Sequence, residues 1–550
     1  MSQAATISVP KLERLSWLAA AFAFAVLLQL ELVINRPINW DEFFHLSEAH
    51  AFHEGRLAEV LQVFYARAFF WLPMLPVDAV DQIRIARLFM FGCELFTTYA
   101  IYAMAGRFVG RMPAALAALA YLTGGYVFQH GFSYRADPMA AAFLMGALWI
   151  ILASRLDTRA ILLAAILAGL AVLTTIKVVF YAPAFAGIAW LRWSEAADRK
   201  GMLLRLAAFA GAAVAFALLL IGATILTLPD ANGGSAARTV STSVTMMFDQ
   251  GLFPTGIYAL RGMLFAPFMA LLVLATPFVL ARAQLSRPQC VALIALLMPL
   301  VSIVFYRNSY PYFYAYILPP VMVGAAIAVK AVQAHISAGI LSLALLANAA
   351  TISLTTSRPV LPAQKQVLAA AGEIFPEPVA YFDYPGMLAD FPKANFFMTN
   401  WGMRKYRIGQ EASFVDAMSR ETVPLLVVNH VILASNQTGP APSEALLPED
   451  GRALREAFIP HWGPLWVAGR RFSAATKEQT FFIHAPGIYT LEKTSARIDG
   501  HVYAPGQTLT LARGAHRFEQ NSAGEAVLRW GSHLTRPSWS FADGPIFEGF

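Results

Sequence analysis

Two adjacent acids and a histidine stand in the run Asn39-Trp40-Asp41-Glu42-Phe43-Phe44-His45, directly after the first long apolar stretch of the chain. Acids at a membrane boundary cost free energy unless they are solvated, paired or used. Partial desolvation raises a carboxylate's basicity, which suits a general base that takes a proton from a hydroxyl. The same residues also spell a helix start. Asn39 with Glu42 three positions on is a capping-box pattern, and acids favour a helix N-terminus. Both readings can hold, because a cap would fix the direction in which Asp41 points. His45 lies one turn on and could bond an acid or a substrate oxygen. A divalent metal is conceivable from His45 clustered with His50 and His53, but those two do not share its helical face and no His-Glu-x-x-His pattern occurs, so neither a metal nor another cofactor is indicated.

A second group is Tyr134-Arg135-Ala136-Asp137-Pro138. Pro138 fits a first helical turn and makes Asp137 a candidate N-cap. Functionally, Asp137 adds a second acid that could orient an acceptor, and Arg135 a cation that could hold an anion. A third group joins Lys177, which interrupts an apolar stretch, to Arg307 ahead of Asn308-Ser309-Tyr310-Pro311-Tyr312-Phe313-Tyr314. Cations beside Tyr310 and Tyr312 can bind a phosphate diester through charge-assisted bonds. The plainer reading is an aromatic belt with snorkelling cations.

The elements that must position these groups are mostly membrane helices. The 550 residues are 57% hydrophobic and 14% charged, with mean hydropathy +0.54, where a soluble domain averages about 25% charged. About eleven spans are expected near 15–34, 82–106, 112–130, 137–154, 159–176, 178–192, 203–228, 264–281, 289–306, 311–329 and 336–355. The first is too long for a cleaved signal peptide and lacks a clear cleavage site. Basic residues place the N-terminus in the cytoplasm, with Arg107, Arg111, Arg155, Arg159, Arg192, Arg205, Arg282 and Lys330 on inner turns. The first loop, 35–81, and the tail from about 357 are then external.

Within that loop, Leu57, Val60, Leu61 and Phe64 suggest amphipathic helices along the interface. The connection after the seventh span opens with the flexible run 229–235. The tail reads as an α/β region over 357–470, with short strands at 379–384 and 424–433 and helices at 411–420 and 449–458. A β-rich module follows over 471–550. The run from Ile498-Asp499-Gly500 to Gly514-Ala515-His516 resembles small β modules of the PEGA type. The net charge is +7, yet residues 357–550 hold 18 Lys+Arg and 18 Asp+Glu. A neutral soluble part excludes a nucleic-acid binder, which needs a basic face there. The two cysteines, Cys93 and Cys290, sit in apolar segments and give no disulfide framework.

At Trp40-Asp41-Glu42-Phe43-Phe44-His45, Arg135-Ala136-Asp137-Pro138 and 310–320 the chain resembles the membrane-embedded C-type (GT-C) glycosyltransferases. Within them it is similar to the protein O-mannosyltransferase and lipid A aminoarabinose transferase group. The resemblance implies a polytopic α-helical GT-C-like domain over 1–356 with a soluble external tail, and the Ala- and Arg-rich composition favours a bacterial cytoplasmic membrane. It implies a sugar donor carried on polyprenyl phosphate, its lipid among membrane lipids and its phosphate near Lys177 and Arg307. The acceptor would be a hydroxyl of a glycan, glycolipid or protein. Asp41 would be the base, with Glu42 and Asp137 beside it, and His45, Arg135, Tyr310 and Tyr312 would bind substrate. A transporter would want internal repeats and broken helices meeting at midplane, and no repeat is evident. A noncatalytic glycan-binding or assembly protein would work through its tail.

Overall fold

The computed structural model describes residues 11–57, 63–226, 251–356, 360–542 and 544–548. The expected interfacial Val60 and Leu61 and the 229–235 run lie outside these residues. The N-terminal part is helical: α1 (Lys11–Asn35), α2 (Trp40–His53), α3 (Val63–Ala68), α4 (Ala79–Val109), α5 (Arg111–Leu122), α6 (Gly125–His130), α7 (Ala136–Ala153) and α8 (Thr158–Thr174). It continues with α9 (Ala182–Glu195), α10 (Arg199–Leu226), α11 (Gly256–Phe265), α12 (Pro267–Arg282), α13 (Arg287–Leu297), α14 (Pro311–Gln333) and α15 (Ala338–Thr355).

Among the described residues, seven helices are long and apolar enough to cross a membrane, or eight if the bent pair α11–α12 is one span. The eleven expected segments fall on helices, but several are broken. The 112–130 segment splits into α5 and α6 at Gly124-Gly125. Gly125 adopts φ +42, and a Cβ on Gly124 would sit 2.7 Å from Met269 Sδ, so glycine serves here for both turn and approach. The 178–192 segment opens with a 3-10 turn, Ile176–Tyr181, before α9. That break puts Lys177 at the end of an apolar run.

Helix α14 forms the centre of the bundle, buried along most of its length. A Cβ on Gly324 would come within 3.1 Å of the Leu293 carbonyl oxygen, so its small residues allow α13 to approach closely. Pro319 and Pro320 lie inside α14 and cannot donate to the carbonyls four residues back. Those carbonyls, Ala315 and Tyr316, accept instead from the hydroxyls of Tyr121 at 2.9 Å and Tyr181 at 2.5 Å. The two tyrosines thus satisfy what the prolines leave open, in a medium with no water to do so.

The tail begins with α16 (Val360–Ile374). Its strands are β1 (Tyr381–Phe382), β2 (Leu425–Val427), β3 (Phe458–Trp462), β4 (Leu465–Phe472), β5 (Glu478–Ile483), β6 (Gly487–Glu492), β7 (Ala496–Ile498), β8 (His501–Tyr503), β9 (Thr508–Leu511), β10 (Gly514–Gln520) and β11 (Ala526–Trp530). One seven-stranded sheet runs β1-β2-β4-β11-β6-β9, with β3 also on β4, and a second runs β5-β10-β7-β8. The expected boundary at 470/471 therefore falls inside β4, which pairs with β2 at Val467↔Leu425 and with β11 at Phe472↔Ala526. The α/β layer and the β-rich region share a sheet. Helices α17 (Asn400–Arg407), α18 (Phe414–Arg420), α19 (Val431–Thr438) and α20 (Pro448–Ala457) complete the tail. The expected strand 424–433 stops at Val427, because Asn429 Oδ1 accepts from Tyr384 N and His430 caps α19.

The tail seats on the end of the bundle that carries α2. Ile38, Phe43 and Leu46 share one core with Leu361, Val367, Tyr381, Leu425 and Val467. The buried Gln364 clamps Ile38 by accepting from its N–H at 3.0 Å and donating to its carbonyl at 2.7 Å. The turn before Trp40 is thereby fixed from both sides.

Candidate active site

Helix α2 starts as the capping box requires. Asn39 Oδ1 accepts from Asp41 N and Glu42 Oε2 accepts from Asn39 N, each at 3.0 Å. Successive helical residues diverge by about 100°, so Asp41 and Glu42 face different partners.

Glu42 points inward. Arg87 of α4 binds it in fork fashion, Nε to Oε1 at 2.7 Å and Nη2 to Oε2 at 2.5 Å. Tyr134 N donates to Oε1 at 2.8 Å. Both side chains are 1% exposed. Burial alone would push the Glu42 carboxyl up, but the Arg87 guanidinium and these hydrogen bonds hold it below the ordinary carboxylate range. Arg87 also donates to the carbonyls of Arg36 at 2.8 Å and Pro37 at 2.9 Å. All of Glu42's acceptor capacity is spent on holding the 36–42 turn, α4 and the 134 loop together. Its geometry is that of a positioning residue, where the sequence had suggested a second catalytic acid.

Asp41 points the other way. Its Oδ2 accepts a short bond from Arg135 Nη1. Arg135 Nε lies 3.8 Å from Asp137 Oδ2, and Lys177 Nζ donates a short bond to Asp137 Oδ1. The four side chains form one alternating row: Asp41, Arg135, Asp137, Lys177. Arg135 is buried, which works against its charge, but Asp41, Tyr312 and Asp137 together raise its pKa above the ordinary value. The acids differ in access: the Asp41 side chain is 15% exposed, Asp137 3% and Glu42 1%. Asp41 is the most exposed of the three acids.

Aromatic rings floor this row. The Arg135 guanidinium carbon lies 3.5 Å from the Tyr312 ring centroid, and Lys177 Nζ lies 5.5 Å from that of Tyr316, both on α14. Tyr310 stacks on Tyr312 at 6.0 Å. Arg307, half-buried, borders Tyr310 and lowers its phenol value, although burial raises it overall. Every charged residue expected at the site except Glu42 therefore lies on one connected row or its aromatic border.

Two placements differ from expectation. Helix α7 begins at Ala136, capped at Arg135 with an extended backbone, so Asp137 sits inside the first turn rather than at the cap. There its charge meets the helix's positive end. His45 bonds no acid among the described residues. It packs edge-on against Tyr65, ring centroids 4.6 Å apart, and near Tyr134 at 6.2 Å. Burial, then Arg135 and Lys177, push its pKa well below the ordinary value, so it is neutral. His50 bonds Gln82 at 2.8 Å. Among the described residues, no three His, Cys, Asp or Glu side chains gather as metal ligands.

Arg87 is the functional partner that sequence reasoning missed. Its signal was present: an arginine inside the apolar run of the second span, where a charge demands a partner. Glu94, two turns further on, is a second such group. Gln29 of α1 donates to it at 2.8 Å, and the missing Cβ of Gly131 leaves room for its carboxylate, which would lie 2.2 Å away.

This helical bundle with a β-rich tail matches solved structures at low sequence identity. ArnT from Cupriavidus metallidurans bound to undecaprenyl phosphate superposes with TM-score 0.55 at 14% identity, over 77% of this chain and 95% of that one. The chain has the GT-C fold. The apo form of the same ArnT matches with TM-score 0.52 at 13% identity, over 78% and 95% of the two chains. A weaker likeness, TM-score 0.48 at 11% identity over 90% and 76%, extends to the Archaeoglobus fulgidus oligosaccharyltransferase tethered with an acceptor peptide. No protein-family model matches the sequence, and no curated protein does either.

Proposed function

We propose that this chain transfers a sugar from a polyprenyl-phosphate donor to a hydroxyl of a glycan, glycolipid or protein, on the external face of a cytoplasmic membrane. The observation that carries the reading is the row Asp41–Arg135–Asp137–Lys177 over an aromatic floor, with Asp41 its most exposed member. The row is neutral as it stands, two acids against two cations. A phosphate diester entering beside it would compete with the carboxylates for Arg135 and Lys177, and charge-assisted bonds to both cations favour it. An acceptor hydroxyl bonded to Asp41 Oδ1 would lose its proton there as its oxygen attacks the anomeric carbon. Polyprenyl phosphate leaves from the opposite face, so configuration inverts, and the cations stabilise the charge that develops on it. That ArnT from Cupriavidus metallidurans, which shares the fold, was solved with undecaprenyl phosphate bound supports this class of lipid. Basic residues gathered at the far end of the bundle, among them Arg107, Arg155, Arg192 and Arg205, support a cytoplasmic placement of that end and an external tail.

The test is mass spectrometry of envelope glycans and glycolipids from a strain lacking the protein. One sugar should be missing from one class of molecule, and the wild-type chain should restore it. An unchanged envelope, together with lipid movement across vesicles containing only this protein, would replace the proposal with a transporter.

A further inference from the structure

A second charged site lies at the opposite end of the bundle. It is one helix away from the acidic row, about 27 Å along the 18 residues of α7. The last turn of α9 and the first of α10 enclose a cavity of about 400 Å³, lined by Arg107, Arg192, Glu195, Asp198, Met202 and Arg205 among others. Each of its acids holds a partner through one oxygen, and Glu195 also acts on the charge of Arg192. Glu195 Oε2 accepts from Arg107 Nη2 at 2.9 Å, and Asp198 Oδ1 accepts from Gly201 N at 2.8 Å at the start of α10. Its other two arginines are held by one N–H each. Arg192 Nη2 donates to the Ser154 carbonyl at 2.6 Å, and Arg205 Nη1 to the Arg155 carbonyl at 2.9 Å.

Those bonds aim the rest of each guanidinium without consuming it. Arg192 Nε is buried and makes no hydrogen bond. Buried donors are almost always paired, and a small turn of the Arg192 guanidinium would bring this one to an acceptor in the cavity. Three arginines against two carboxylates leave one positive charge. A basic cluster alone would follow from the orientation of the chain in its membrane. That tendency requires neither a cavity nor an unpaired buried donor.

We infer that this cavity seats the phosphate of an anionic phospholipid. The occupant is an amphiphile because of what adjoins the cavity. Leu203 and Leu204, next to its Met202 and Arg205, are 57% and 63% exposed, and the apolar surface of α10 continues through Leu218 and Leu219. A headgroup at Arg192 and Arg205 would lay its acyl chains along that face. Basic pockets between membrane helices hold lipid headgroups in this manner. The inference does not depend on the proposed sugar transfer.

Native mass spectrometry of the full chain in detergent tests it, with phosphatidylglycerol, phosphatidylcholine and inorganic phosphate as probes. One phosphatidylglycerol should bind in preference to phosphatidylcholine. The double variant Arg192→Gln/Arg205→Gln should lower its occupancy at least about fivefold, and Arg159→Gln, outside the cavity, should not. If the double variant does not fold, Arg192→Lys keeps the charge, loses Nε, and should still bind more weakly than wild type. Equal binding by wild type and either cavity variant would overturn the inference. So would equal binding of the two lipids, or inorganic phosphate displacing phosphatidylglycerol at equal concentration.

Discussion

Glu42 faces Arg87 across a sealed interior, whereas Asp41, one residue earlier, faces Arg135 on the open side of the same helix. Each acid has an arginine, yet the pairs are built for different ends. The Glu42 pair is a two-pronged fork with further bonds from Tyr134 N and Asn39 N, and it ties three segments together. The Asp41 pair is a single bond to one oxygen, on a side chain 15% exposed. A buried ion pair seldom stabilises a fold beyond what apolar packing would, but breaking one is costly. The closed pair therefore acts as a fixed mount, and the open pair is the part that mount holds in register.

The sharpest way to break this comparison is to exchange the roles. Asp41→Asn keeps size and loses basicity, and it should cut sugar transfer about 10²- to 10⁴-fold, the range for loss of a general base. Binding of polyprenyl phosphate should change little. Transfer rates on purified protein, with lipid binding measured in parallel, check this, and near-normal turnover would reverse the assignment of the two acids.

Arg87→Met should act on folding instead. Leaving Glu42 buried without its partner should cost about 3–5 kcal/mol, read from thermal unfolding in detergent. Arg87→Met combined with Glu42→Leu should recover part of that loss, because no orphaned charge remains. The acid side of the stability profile carries the same information. The Glu42 carboxyl is held below its ordinary 4.5 when folded, so its contribution is full above that pH. It is lost as pH falls through the depressed value, and Glu42→Gln should lack that acid-side loss. A double variant no more stable than Arg87→Met would argue against the mount.

Much of the open side was legible because its signals are local. Asn39 and Glu42 are three residues apart, Arg135 and Asp137 are two apart, and Lys177 interrupts an apolar run that the backbone does break. Arg87 is separated from Glu42 by 45 residues, so no local spacing links the two. Strand pairing is illegible for the same reason. Nothing near Phe472 announces that it pairs with Ala526, and the change to a strand-and-turn pattern near 471 does not show that one sheet crosses it. Gly124 and Gly125 divided one expected span, since a glycine pair in an apolar run does not say whether it packs or turns.

A smaller effect tests whether α14 is held as rigidly as the aromatic floor requires. Tyr181→Phe removes the hydroxyl that bonds the Tyr316 carbonyl. A buried carbonyl left unsatisfied costs about 1–3 kcal/mol. The variant should lose that much thermal stability and should also slow transfer, since Tyr312 and Tyr316 sit under Arg135 and Lys177 on the same helix. A loss of stability with unchanged transfer would mean that the floor tolerates movement of α14.

The smallest expected effect separates the two sides of α2 once more. His45 lies between the two sides: it packs on Tyr65 and Tyr134, whose N–H bonds Glu42, while Arg135 and Lys177 of the open row act on its charge. Its folded-state value lies well below the ordinary 6.5. Below that pH the unfolded chain takes up a proton that the folded one refuses, so wild-type stability declines by at most about 1.4 kcal/mol per pH unit from this group. His45→Gln has no such proton to refuse. Between pH 7.5 and 5.5 its melting temperature should fall less than that of wild type, with transfer near pH 7 reduced only modestly. Parallel decline of the two proteins would show that His45 takes up its proton in the folded state, and that it belongs with Asp41 on the open side.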